Sequence, residues 1–226
     1  MPFARIAGLA ALASLPALVA AAPARGQSVE STIDRAVAAW AKVKTVRGTF
    51  DQTVTNPLTG TSGSAHGTYA QERPNRLAIR FLPPQADAIV ADGTTLWIYL
   101  PSSAPGQVIK RRATDGQSVP IDLTGQFLDQ PRAKYVITAA GTKTVDGHAT
   151  HALTLVPKPG ASSPFTKATV WVDDDDSLIR EFEETETSGV VRHVHLTAVT
   201  PNAGVERSAF TFSVPAGVKI VDQTKG

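Results

Sequence analysis

The stretch Val90-Ala91-Asp92-Gly93-Thr94-Thr95-Leu96-Trp97-Ile98-Tyr99-Leu100-Pro101 decides how this chain is read. Apolar residues flank Asp92-Gly93, a dipeptide that supplies the positive φ values of a tight type I′ turn. Residues 86–91 and 95–99 are then the two arms of a hairpin. Just upstream, Leu77, Ile79 and Phe81 point one way and Arg76, Ala78 and Arg80 the other, because strand side chains alternate between faces.

Farther out, the periods change. Val29, Ile33, Ala36, Val37, Trp40 and Val43 recur at three- and four-residue steps, an amphipathic helix with Ser28 as its N-cap. From Val46 the period is two, with Val46, Phe50 and Val54 alternating with Arg47, Thr49, Asp51 and Thr53. A turn at 56–60 leads to a strand over 65–71, which Pro74 ends. Further strands are expected at 108–112, 135–140, 150–156, 167–173, 178–184, 190–199 and 210–212. Asp146-Gly147 and Ser188-Gly189 mark turns among them. Between 120 and 130 the pattern is helical again, with Ile121, Leu123, Phe127 and Leu128, although Gly125 weakens it. About ten short strands, an N-terminal helix and a short central helix predict an α+β domain: a large antiparallel sheet covered by helices.

Residues 1–26 read as an address. Arg5 gives a positive n-region, 6–22 an Ala/Leu-rich apolar run broken by Pro16, and small residues follow, with cleavage expected before Gln27. Residues 27–226 then form a single domain. Arg5 and Arg25 are the only charges in the leader, so the remainder carries 20 basic and 20 acidic residues. A neutral chain with dispersed charge has no electrostatic footprint for nucleic acid. There is no cysteine, which removes disulfides, thiol catalysis and a lipidated tether together. Met1 is the only methionine, so an apolar binding surface must come from aromatic and branched aliphatic side chains.

No G-x-S-x-G elbow, H-E-x-x-H or P-loop occurs. Asp173-Asp174-Asp175-Asp176 invites a calcium reading, but EF-hand spacing and its closing glutamate are missing, so a solvated hairpin turn is expected. His193 and His195 share a strand face, and His148 and His151 join them as metal-compatible types; no carboxylate partner is identifiable along the sequence. Neither a metal nor another cofactor is expected.

Arg73-Pro74-Asn75-Arg76-Leu77, the 90–101 stretch and Phe210-Thr211-Phe212-Ser213-Val214-Pro215-Ala216-Gly217-Val218 occur in an order that resembles the periplasmic outer-membrane lipoprotein carrier family (LolA-type). Phe50-Asp51-Gln52, Gly67 and the 120–127 region extend the likeness over nearly the whole chain after residue 26. The resemblance implies an incomplete, half-open antiparallel barrel of about 10–11 strands with a lid of helices. It implies a non-enzymatic chaperone that shuttles acylated lipoproteins across the periplasm. Its partners would be an inner-membrane ABC transporter that releases the cargo and an outer-membrane receptor, with the carrier itself a monomer.

By the same resemblance Arg73 latches the lid, and Ile121 and Leu123 belong to the lid helix. Phe50, Leu77, Ile79, Phe81, Leu96 and Ile98 would line the acyl-binding or partner-contacting cavity; alternation alone does not separate cavity wall from core. Other readings are a lipid or lipopolysaccharide carrier, a half-barrel stress-sensing regulator, which would carry a further C-terminal domain, and a periplasmic hydrolase, for which no nucleophile–base motif is present.

Overall fold

A computed structural model describes residues 28–113 and 122–224; the leader and Ile121 lie outside the described residues. Helix α1 (Val29–Ala41) begins at Ser28, whose hydroxyl accepts from the Ser31 N–H at 3.1 Å. It buries Thr32, Ile33, Ala36 and Trp40, one face at helical spacing. Then come β1 (Thr45–Asn56), β2 (Thr61–Glu72), β3 (Arg76–Phe81), β4 (Ala88–Asp92), β5 (Thr95–Tyr99) and β6 (Gln107–Arg112). Two one-turn helices, α2 (Gly125–Leu128) and α3 (Pro131–Lys134), precede β7 (Tyr135–Val145), β8 (His148–Pro157), β9 (Phe165–Asp173), β10 (Ile179–Glu186) and β11 (Val191–Pro201). A 3-10 turn (Arg207–Phe210) and β12 (Lys219–Asp222) follow.

All twelve strands form one sheet in the order β12-β6-β5-β4-β3-β2-β1-β11-β10-β9-β8-β7. Among the described residues every pairing is antiparallel except β12 with β6, and β12 and β7 are the free ends of a sheet that curls without closing. The strand count exceeds the expected ten or eleven. The extra strand is β12, too short and mixed to show a period. Residues 210–212, expected as the closing strand, instead end the 3-10 turn and run on as extended chain.

Register places Phe50, Gly67, Leu77, Ile79, Phe81, Ile89, Leu96, Ile98, Phe182 and Val194 on one face. That face is concave and holds the main core, against which α1 and α2 pack through Ile33, Ala36, Trp40, Phe127 and Leu128. Gly67 pairs directly with Phe50; a Cβ there would lie 2.3 Å from the Arg80 carbonyl oxygen and 2.7 Å from the Phe50 ring. Only glycine permits β3 to fold in so tightly over β2, which is how glycine positions bend a sheet. On the convex face Ala78, Ala88, Val90 and Val108 are buried. The chain after β11 crosses there: Phe212 packs on Trp97 and Tyr99 (ring centroids 5.7 and 5.8 Å), and Arg80 donates to the Ala209 and Thr211 carbonyls.

At the hairpin, Gly93 has φ +105°, and neither Asp92 nor Thr94 is left-handed. The left-handed Asp92 that the expected I′ turn requires is absent. The Asp92 carboxylate accounts for it by accepting from the Thr94 and Thr95 N–H groups, both at 2.8 Å. No helix among the described residues is long and apolar enough to cross a membrane.

Candidate functional site

The concave face holds a cavity of about 410 Å³. Its apolar wall is Phe50, Ile79, Phe81 and Ile89 from β1, β3 and β4, Phe182 and Val194 from β10 and β11, and Leu123 from the approach to α2. Phe50 and Phe81 meet edge to face at 5.1 Å, fixing one wall, and Phe182 packs against Phe127 of α2 at 5.1 Å. The other end is polar, with Gln52, Gln126, Glu184, Glu186 and Arg192. Arg192 donates to Gln52 Oε1 at 3.1 Å and Glu186 Oε1 at 2.6 Å, and lies 3.4 Å from Glu184 Oε1. Burial pushes the Glu184 carboxyl up, the Arg192 charge opposing and the Glu186 charge adding to it.

Four of the residues singled out in the sequence meet at this cavity: Phe50, Ile79, Phe81 and Leu123. Leu77, Leu96 and Ile98 share the face but lie in the packed core, away from the cavity wall. Ile121 lies outside the described residues. The β10–β11 wall and the polar end were not foreseen. Phe182-x-Glu184-x-Glu186 and Arg192-x-Val194 show strand alternation in the sequence, but nothing local says that the alternating side faces a void.

Arg73 sits where β2 runs toward β3, with 35% of its side chain exposed. Its Nη1 donates to the Trp40 carbonyl at 2.8 Å and the Val43 carbonyl at 3.4 Å. Both acceptors belong to the end of α1, where unpaired carbonyls and the helix dipole attract a cation. The guanidinium also lies 5.5 Å from the Trp40 ring centroid. The 122–128 segment is reached through a carboxylate: Asp122 Oδ2 accepts from Trp40 Nε1 at 3.0 Å and lies 3.8 Å from Arg73 Nε. Its Oδ1 accepts from the Gly125 N–H at 2.6 Å, opening α2. Burial raises the Asp122 carboxyl, opposed by the Gly125 and Trp40 bonds and the Arg73 charge.

The histidines do have acidic partners. His148 pairs with Asp173 at 2.8 Å, His151 with Asp174 at 2.6 Å and His193 with Glu181 at 2.5 Å, and His195 lies 2.8 Å from Asp146. These pairings come from neighbouring strands and turns, which sequence spacing conceals. His148, Asp173 and Asp175 are the one group with ligand atoms close enough to share an ion among the described residues. Asp173, however, is fully buried and held by Arg180 Nε at 2.8 Å, so the four-aspartate run is an ion-paired turn with a buried first residue, not the freely solvated turn expected.

Comparison with known proteins agrees with this geometry. The family profile described as outer membrane lipoprotein carrier protein LolA matches residues 41–213. The outer-membrane lipoprotein carrier protein of Bordetella pertussis is 29% identical over 218 residues, spanning 96% of this chain and 97% of the relative. That of Shewanella woodyi is 28% identical over 182 residues, covering 80% and 81%. An uncharacterized conserved protein from Thermus thermophilus superposes with a TM-score of 0.53 at 11% identity, over 86% of this chain and 98% of that one, a likeness of fold alone. With most of its length matched by the profile, the chain belongs to the LolA family of outer membrane lipoprotein carrier proteins.

Proposed function

We propose that this protein is a periplasmic carrier that takes the acyl chains of lipoproteins released from the inner membrane and delivers them to the outer membrane. The observation that carries the reading is the apolar cavity on the concave face of an open sheet. Burying an acyl chain is worth about 0.8 kcal/mol per methylene, so an acylated protein does not leave a membrane unaided. A carrier must offset most of that cost yet release its cargo. The cavity of about 410 Å³ is the space that the fold offers the hydrocarbon.

In this reading α1 and α2 are the lid and Arg73, Trp40 and Asp122 the latch. Arg73 steadies the end of α1, and Trp40 and Asp122 tie α1 to α2. Separating the helices breaks these bonds and also draws Ile33, Ala36, Phe127 and Leu128 off the sheet face. The chain has no P-loop, so energy for loading comes from a partner, an inner-membrane ABC transporter, and unloading is to an outer-membrane receptor. No catalytic step is involved.

The test is co-expression with a triacylated lipoprotein, followed by purification from the periplasmic fraction and intact mass analysis. A soluble one-to-one complex retaining the acyl chains is expected. Lipoprotein found only in membranes, with unoccupied soluble protein, would overturn the reading.

A further inference from the structure

Among the described residues, two buried side-chain oxygens on residues of the cavity's polar end lack a hydrogen-bond partner, Gln126 Oε1 and Glu184 Oε2. A buried acceptor left unmet is costly, and native interiors hold few of them. Two on residues that line one cavity mark what its contents must bring once the oxygens are uncovered: hydrogen-bond donors. Beside them stands Arg192, whose five N–H groups are only partly used by Gln52, Glu184 and Glu186. The wall therefore offers unmet acceptors and a cationic donor side by side. An amide presents an N–H and a carbonyl together and suits both. An ester presents acceptors alone, and a free carboxylate would face two glutamates.

We propose that Gln126 and Glu184, with Arg192 beside them, form a subsite that selects acyl ligands joined to their head group by an amide over those joined by an ester. This rests on the acyl-cavity reading above. The apolar wall takes the chain and the polar end takes the linkage. Both oxygens are sealed in this structure, and Gln126 lies on α2, a helix of a single turn. Its displacement as a chain enters is what brings an N–H within reach. Sites built around a hydrogen bond reject the analogue that lacks it, because the site's own polar groups are then stranded.

The experiment is calorimetric titration of the purified protein with N-methyldodecanamide and, separately, methyl dodecanoate, ligands of equal chain length. The amide should bind about tenfold tighter, the scale of one well-made hydrogen bond. In the double variant Gln126→Leu/Glu184→Leu the two should come within about twofold, the amide losing its advantage over the ester. Should that variant fail to give a cooperative melt, Gln126→Met alone, at a half-exposed position, is expected to reduce the preference to about threefold. Equal binding of amide and ester to the unaltered protein overturns the subsite and leaves the acyl cavity standing. Binding of neither overturns both.

Discussion

Arg73 joins two functions in one side chain, ending α1 and approaching the carboxylate that opens α2. Arg73→Leu removes two charge-assisted bonds to carbonyls, so it should lower stability by about 1–2 kcal/mol. It should also loosen the helices, so that loaded protein accumulates and transfer to outer-membrane vesicles slows. A denaturant titration beside a transfer assay reads both; unchanged transfer with lowered stability would leave Arg73 as a helix cap only. At the cavity, Ile79→Glu places a charge where Phe50 and Phe81 form the wall. Acyl-probe binding should fall at least tenfold with a loss of stability of about 1–3 kcal/mol, because the void admits water to the carboxylate. Global unfolding would make Ile79 plain core. That Arg73 bonds the Trp40 carbonyl was not legible, since the two residues are 33 apart and no local pattern joins them.

At the scale of elements, the sequence foretold α1 and most of the strands, because each carries its own period. It failed where the signal is not local. The type of the Gly93 turn is set by the Asp92 side chain, α2 starts at the very glycine that argued against a helix, and β12 is held by pairing with β6. The bend at Gly67 is likewise visible only once β1, β2 and β3 are side by side. Gly67→Val should destabilise by about 2–4 kcal/mol, since the new Cβ meets backbone that cannot move away alone. Circular-dichroism melts would show it; an unchanged midpoint would mean that the curl does not depend on this residue.

Across the whole molecule, buried carboxyls of opposite tendency set the response to pH. Burial raises Asp173, but the Asp175 N–H, Arg180 and His148 outweigh it and hold it below its usual range. Glu181, also raised by burial, is held down by Lys143 and His193. Groups depressed in the folded state stabilise it above the unfolded value and lose that contribution as pH falls through the folded one. Glu184 and Asp122 have the opposite sign: raised, they weigh against folding at neutral pH and cease to do so as they take protons. Melting temperature should therefore hold or rise from pH 8 toward 5 and drop below about 4. Glu184→Gln should melt higher than the parent at pH 8 and level with it near pH 4; a gap independent of pH would refute the assignment.

The two free ends of the sheet bear on capacity. In a closed barrel, strand number and stagger fix the radius, so the lumen is quantised and a wider guest requires a different protein. A ribbon with no further strand paired to β7 or β12 among the described residues obeys no such count. Its girth follows from how far it is rolled, a continuous quantity that can change with every ladder bond intact. A wider guest can thus be met by unrolling, with no change in the number of strands.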